Sequence, residues 1–111
     1  MAHVDVIKVA GYRPRDVAGF ETRLCAAIEA GGVAVEVSSA GLRKPAGELY
    51  PSPALLHRLC ATGVAITTAS DAHRRDQLGS RFADVRAALR AEDVETITTF
   101  NRRERRAAPL D

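Results

Sequence analysis

Two nearly continuous apolar runs set the limits of the fold. Val33-Ala34-Val35-Glu36-Val37-Ser38 follows Gly31-Gly32, and Val64-Ala65-Ile66-Thr67-Thr68 follows Gly63. Short runs of β-branched and apolar residues bounded by glycine are strands. A strand that is apolar at almost every position is covered on both faces, as in a parallel sheet. The stretches between them have helical periodicity. Val17, Phe20, Leu24, Ala27 and Ile28 predict a helix over residues 17–30, capped by Asp16 and stopped by the glycine pair. Ser52 caps a second helix with Pro53 in its first turn, buried through Leu55, Leu56, Leu59 and Cys60. Ser80 caps a third, marked by Phe82, Val85 and Leu89. Residues 1–7 read as an opening strand and residues 95–100 as a fourth strand. Residues 101–111 read as a charged tail that frays. Strands alternating with helices predict right-handed βαβ units and a parallel sheet. No repeat, low-complexity segment or domain boundary interrupts the chain, so residues 1–111 read as a single domain.

The two long loops, residues 39–51 and 74–79, both follow strands. In parallel sheets that edge carries the chemistry. Strand 64–69 runs straight into Ser70-Asp71-Ala72-His73-Arg74. In extended backbone Asp71 and His73 leave on the same face. A carboxylate and an imidazole aimed at one point make a metal or acid–base pair. The alternative is a turn cap at Asp71 and a surface imidazole at His73. His3 is a ligand candidate or an ordinary surface residue. Arg43 and Lys44 in one loop, with Arg74 and Arg75 in the other, suit a phosphate ester, because a guanidinium forks onto two oxygens and an ammonium adds a point charge. Solvated loop charges are the alternative. Glu36 is a site carboxylate or a satisfied structural one. Glu48 and Tyr50 line a pocket or anchor the loop, and His57 is structural or exposed.

Charge excludes little, with 16 Lys+Arg against 14 Asp+Glu. Arg102, Arg103, Arg105 and Arg106 have no interleaved aromatic residue, so they read as a solvated end rather than a nucleic-acid patch. No apolar run approaches the ~20 residues of a membrane helix. The opening Met1-Ala2-His3-Val4-Asp5 lacks the features of a signal peptide. Cys25 and Cys60 lack CxxC spacing and read as reduced thiols in a cytoplasmic protein.

Taken together, these residues resemble the polymerase and histidinol phosphatase (PHP) family, and most closely its histidinol-phosphatase branch. Ala2-His3-Val4-Asp5-Val6-Ile7-Lys8 is similar to the family's late His motif. Glu36-Val37-Ser38-Ser39-Ala40-Gly41-Leu42-Arg43-Lys44-Pro45 is similar to the branch's Glu-x-Asn-Thr-Ser-Gly-Leu-Arg-Lys-Pro segment. Tyr50-Pro51-Ser52-Pro53 and Ser70-Asp71-Ala72-His73 follow in family order. The resemblance implies parallel βαβ units forming the last half of a distorted (β/α)7, TIM-like barrel with metals at one end. It implies metal ligands at His3, Asp71 and His73. It implies contacts to a substrate phosphate from Arg43, Arg74 and Lys44. Glu36 matches a common family residue outside the ligand set.

The family's opening His-x-His motif is absent, and the three histidines are His3, His57 and His73. The expectation is therefore at most one divalent metal (Zn, Mn or Fe). The implied activity is metal-dependent hydrolysis of a small phosphomonoester such as histidinol phosphate through a metal-activated water, with little or no turnover by this chain alone. The implied partners are the small phosphorylated substrate and either a second copy or a complementing chain, which would cover the open edges of a half-barrel. A nuclease or polymerase-associated module is the remaining alternative. Arg43-Lys44-Pro45 and Tyr50-Pro51-Ser52-Pro53 argue for the small-substrate branch instead.

Overall fold

In the computed structural model, which describes Met1–Asp111, the two apolar runs form a parallel pair. β1 (Val35–Ser38) lies beside β2 (Ile66–Ala69), with Val35 opposite Ile66 and Ser38 opposite Ala69. Three helices cover them: α1 (Ala18–Gly31), α2 (Pro53–Ala61) and α3 (Phe82–Ala91). Local chemistry explains where they begin and end. Ser52 caps α2, its Oγ accepting from the Leu55 amide at 3.4 Å, whereas Val17 rather than Asp16 holds the cap position of α1 and Asp16 Oδ1 accepts from the Ala18 amide at 3.2 Å. Gly32 closes α1 in the left-handed region at φ 56, where a side chain would be strained. Ser80 does not cap α3. Its carbonyl accepts a hydrogen bond from Ser39, and Arg81 takes the cap position instead.

The core lies between the sheet and the helices. Val35, Val37 and Ile66 meet Ile28 of α1, Leu55, Leu56 and Leu59 of α2, and Val85 and Leu89 of α3. Helix α2 is the crossover that makes β1 and β2 parallel, as a parallel connection requires. No helix is long and apolar enough to cross a membrane.

Three expectations need correction. The first concerns residues 1–7, which are not a strand. Val6–Ala10 is a 3-10 helix, and Asp5 before it is left-handed at φ 71. The Asp5 carboxylate accepts from Lys8 Nζ and from the Ser52 amide, which draws the chain into a turn. Only Met1 runs beside β1: its ammonium donates to the Ala34 carbonyl, and its carbonyl accepts from the Glu36 amide at 2.9 Å. Further along the same strand, Ser38 and Tyr50 exchange backbone hydrogen bonds at 2.7 and 3.1 Å.

The second concerns the last part of the chain. β3 (Thr96–Asn101) pairs antiparallel with β4 (Glu104–Pro109), Thr96 opposite Pro109 and Asn101 opposite Glu104. Residues 101–111, expected to fray, thus supply a strand, and Leu110 beyond it is buried in the core. Arg102 and Arg103 have φ 49 and 70, the positive values of a two-residue hairpin turn whose twist matches its strands.

The third is the fold itself. β1–β2 and β3–β4 are two separate, open, two-stranded sheets, and they do not close into a TIM-like barrel. The half-barrel expectation required every strand to be parallel and hydrogen-bonded in one sheet. The tight turn at Arg102-Arg103 makes the last pair antiparallel, and β3 packs beside β2 without joining its ladder.

Candidate functional site

The site begins where β1 ends. Ser38 Oγ accepts from the Ala40 amide at 3.2 Å and starts a 3-10 helix, Ser39–Arg43. Ser39, Ala40 and Gly41 are buried. A Cβ at Gly41 would lie 2.1 Å from the Glu48 carbonyl oxygen and 3.0 Å from the Tyr50 ring, so this turn accepts only glycine there. The turn then reaches across to the loop after β2. Ser39 Oγ donates to the Ser80 carbonyl at 2.6 Å. Arg43 Nη2 donates to the carbonyls of Ser70 and Asp71 at 2.6 and 3.3 Å. Its Nη1 is buried and has no hydrogen-bond partner.

Asp71 and His73 do lie together, but not for the reason their spacing gave. β2 ends at Ala69, and Asp71 is left-handed at φ 48, so the pair sits on a turn rather than on one face of a strand. His73 Nδ1 is 3.0 Å from the Asp71 carbonyl oxygen and 3.9 Å from Asp71 Oδ1. The His73 amide donates to Gln77 Oε1 at 2.9 Å, and Ser70 Oγ accepts from the Gly79 amide at 3.3 Å. His73 is exposed and Asp71 half-buried.

His3 does not join them. It lies exposed on the opening segment, beside an apolar groove bounded by Ile7 and Phe20. No group of three or more His, Cys, Asp or Glu side chains comes together anywhere in the chain, so the expected metal-binding set of His3, Asp71 and His73 does not assemble. A catalytic zinc site takes three protein ligands. The Asp71–His73 pair supplies two, and the imidazole Nδ1 faces the Asp71 carbonyl. Among this chain's own residues, Asp71 and His73 are the two expected ligands that come together.

The other candidates are placed as follows. Lys44 and Arg74 are exposed, and Arg74 Nη2 is 3.3 Å from Asp76 Oδ2. Arg75 is exposed in a short 3-10 helix. Glu36 stands opposite Thr67 in the sheet, half-buried, with Oε1 enclosed and unpartnered. His57 is exposed and pairs with Glu92 at 2.8 Å. Glu48 anchors its loop: Oε1 is 2.7 Å from both Lys8 Nζ and Arg13 Nη1, and Arg13 Nη2 donates to the Ala46 carbonyl at 2.8 Å.

Sequence reasoning passed over Lys8. Its side chain is 4% exposed between the Asp5 and Glu48 carboxylates, with Nζ 5.5 Å from the centre of the Tyr50 ring. The three-residue spacing of Asp5 and Lys8 was the available signal. Burial pushes the Glu48 carboxyl up, but hydrogen bonds and charge from Lys8 and Arg13 outweigh it and hold the group below its ordinary range. Burial raises the Tyr50 hydroxyl, helped by the charges of Asp5 and Glu48.

The chain is 30% identical over 103 residues to a protein of Deinococcus radiodurans named "Probable histidinol-phosphatase". The match takes in 93% of this chain and 39% of that protein, so this chain spans well under half the relative's length. No protein-family profile matches the chain. The resemblance first seen in the order of four short motifs thus extends along almost the whole sequence.

Proposed function

We propose that this chain, a distant homologue of one stretch of a protein named as a histidinol-phosphatase, is one portion of a phosphoesterase for a small phosphomonoester such as histidinol phosphate. The observation that carries the reading is Arg43. Its guanidinium lies against the Asp71–His73 turn with Nη1 buried and unpartnered. A buried donor without an acceptor is costly, and an anionic oxygen is the acceptor a guanidinium binds best. Lys44 follows Arg43 and Arg74 follows His73, two exposed cations on the same two loops. In the complete site Arg43 would hold the phosphoryl group while Lys44 and Arg74 add positive charge. Asp71 and His73 would contribute a carboxylate and an imidazole. The groups that activate the attacking water lie outside this chain, which on its own is expected to release little or no phosphate.

Titration with inorganic phosphate, followed by NMR, tests the phosphate contacts. Shifts at Arg43 and Lys44 that weaken several-fold in Lys44→Gln are expected. Shifts absent at tens of millimolar, or indifferent to the substitution, would sink the reading. Phosphate release from histidinol phosphate, compared with Asp71→Asn, tests the partial-site claim. Robust Asp71-dependent turnover by this chain would show the site to be whole.

One observation favours a second reading, an interaction protein. A groove of about 600 Å³ runs between the opening segment and α1, lined by Val4, Ile7, Val17, Phe20, Leu24 and Leu55. Ile7 and Phe20 are 69% and 60% exposed. The greater part of the Deinococcus relative has no counterpart here, and a polypeptide of that kind is the occupant on this reading. Sedimentation should then show a one-to-one complex with the unmatched portion of that protein, lost in Phe20→Asp. A concentration-dependent dimer of this chain would assign the groove to a second copy instead.

A further inference from the structure

Arg43 does more than wait for an anion. The two carbonyls that its Nη2 holds belong to the peptide planes on either side of the Asp71 Cα. Each plane is rigid, so the angle between them is set by φ and ψ of Asp71 alone. Pinning both carbonyls to one planar nitrogen therefore narrows the range of those two torsions. The torsions are unusual ones: φ is 48, a region that non-glycine residues rarely occupy without outside support. The Asp71 carbonyl oxygen, held on one side by Arg43, lies 3.0 Å from His73 Nδ1 on the other. A second contact between the same turn and loop, from Ser39 to the Ser80 carbonyl, holds the far end of the loop.

We propose that Arg43 is a positioning residue for the Asp71–His73 pair. Through the Ser70 and Asp71 carbonyls it imposes the left-handed turn that aims the carboxylate and the imidazole. Its two terminal nitrogens differ in role, Nη2 on the backbone and Nη1 buried without a partner. The role in aiming a site rests on the reading that Asp71 and His73 face substrate. The turn itself is measured without substrate, so the two can fail separately. A lysine cannot replace this arginine, because an ammonium lacks the planar fork and has no second nitrogen to spare.

The test is NMR on the phosphate-free chain, comparing wild type with Arg43→Lys and Arg43→Gln. Asp71 Cα and Cβ shifts should leave their left-handed values in both variants. Amide exchange at His73 and Gly79 should rise about tenfold, as loss of a charge-assisted hydrogen bond at a local opening implies. Val37 and Leu59 amides should not change, which separates positioning from general loosening. Lys44→Gln should leave Asp71 where it is. Unchanged Asp71 shifts in Arg43→Gln would overturn the proposal.

Should both variants unfold, the wild-type guanidinium decides. Slowly rotating Nη2 protons, protected from solvent, are expected. A single averaged, freely exchanging signal would overturn the proposal. Phosphate that fails to bind the wild type, with the turn behaving as described, would count against the phosphoesterase reading and leave the positioning role standing.

Discussion

Lys8 carries its ammonium into the interior between two carboxylates, and the opening segment hangs on that contact. Lys8→Met would leave Asp5 without its cation and Glu48 with Arg13 alone, and breaking a buried pair in this way costs up to about 3–5 kcal/mol. Urea denaturation should show a loss of that order. Loss within experimental error would mean that water replaces the ammonium. Glu48 adds a dependence on pH. Its folded carboxyl titrates below its ordinary value. The stability it contributes is therefore present in full above the unfolded carboxylate range and disappears as pH falls through the lower, folded value. Glu48→Gln should flatten the acid limb of stability against pH, and an unchanged slope would contradict this. Little of this was legible in the sequence. Asp5 and Lys8 are neighbours, but Glu48 meets them only after the chain has passed through α1 and β1, and no local pattern announces such a contact. Asp71 and His73 were legible as a pair because they follow an apolar run directly. Their left-handed turn was not, since the hydrogen bonds that support it come from Arg43 on another loop.

The three helices and the parallel pair could be read in advance because pattern and punctuation agree. Apolar residues recur at helical spacing, and Ser52, Pro53, Gly32 and Gly63 mark ends where they are expected. The opening segment reads as a strand because Val and Ile dominate it, while the Asp5 carboxylate decides the local shape. The hairpin is hidden for a related reason. Its turn is Arg102-Arg103, and arginine is not a residue that advertises positive φ. Both residues bear the cost of that conformation. The double substitution Arg102→Asn with Arg103→Gly puts the preferred turn pair at those positions and should stabilise the hairpin by about 1 kcal/mol. Thermal denaturation and amide protection across β3 and β4 would register the gain. A loss would show that the arginine side chains hold the hairpin in some other way.

At the scale of the molecule, the two sheets share side chains but no ladder. Leu110 and Ile97 pack against the core that β1, β2 and the helices build. Leu110→Ala should cost about 2–4 kcal/mol and should first free the hairpin. Its amides are expected to exchange through an opening that leaves Val37 protected, since regions with few shared contacts open as separate units. Equal acceleration at Val37 would mean that the sheets open as one. The missing barrel and the separation of His3 from Asp71 and His73 have one root. Beyond Met1 the opening segment turns away from the sheet, taking His3 with it, and the last strand folds back on itself. The outer edge of β1 is closed to strand addition. The Glu36 amide is bonded to Met1 and the Ser38 amide to Tyr50, one passing segment at each end of the strand. Such an edge gives a foreign strand nothing to template on. A partner arriving at this edge must therefore recognise shape and side chains, and its arrival should leave the amide protection of β1 as it was.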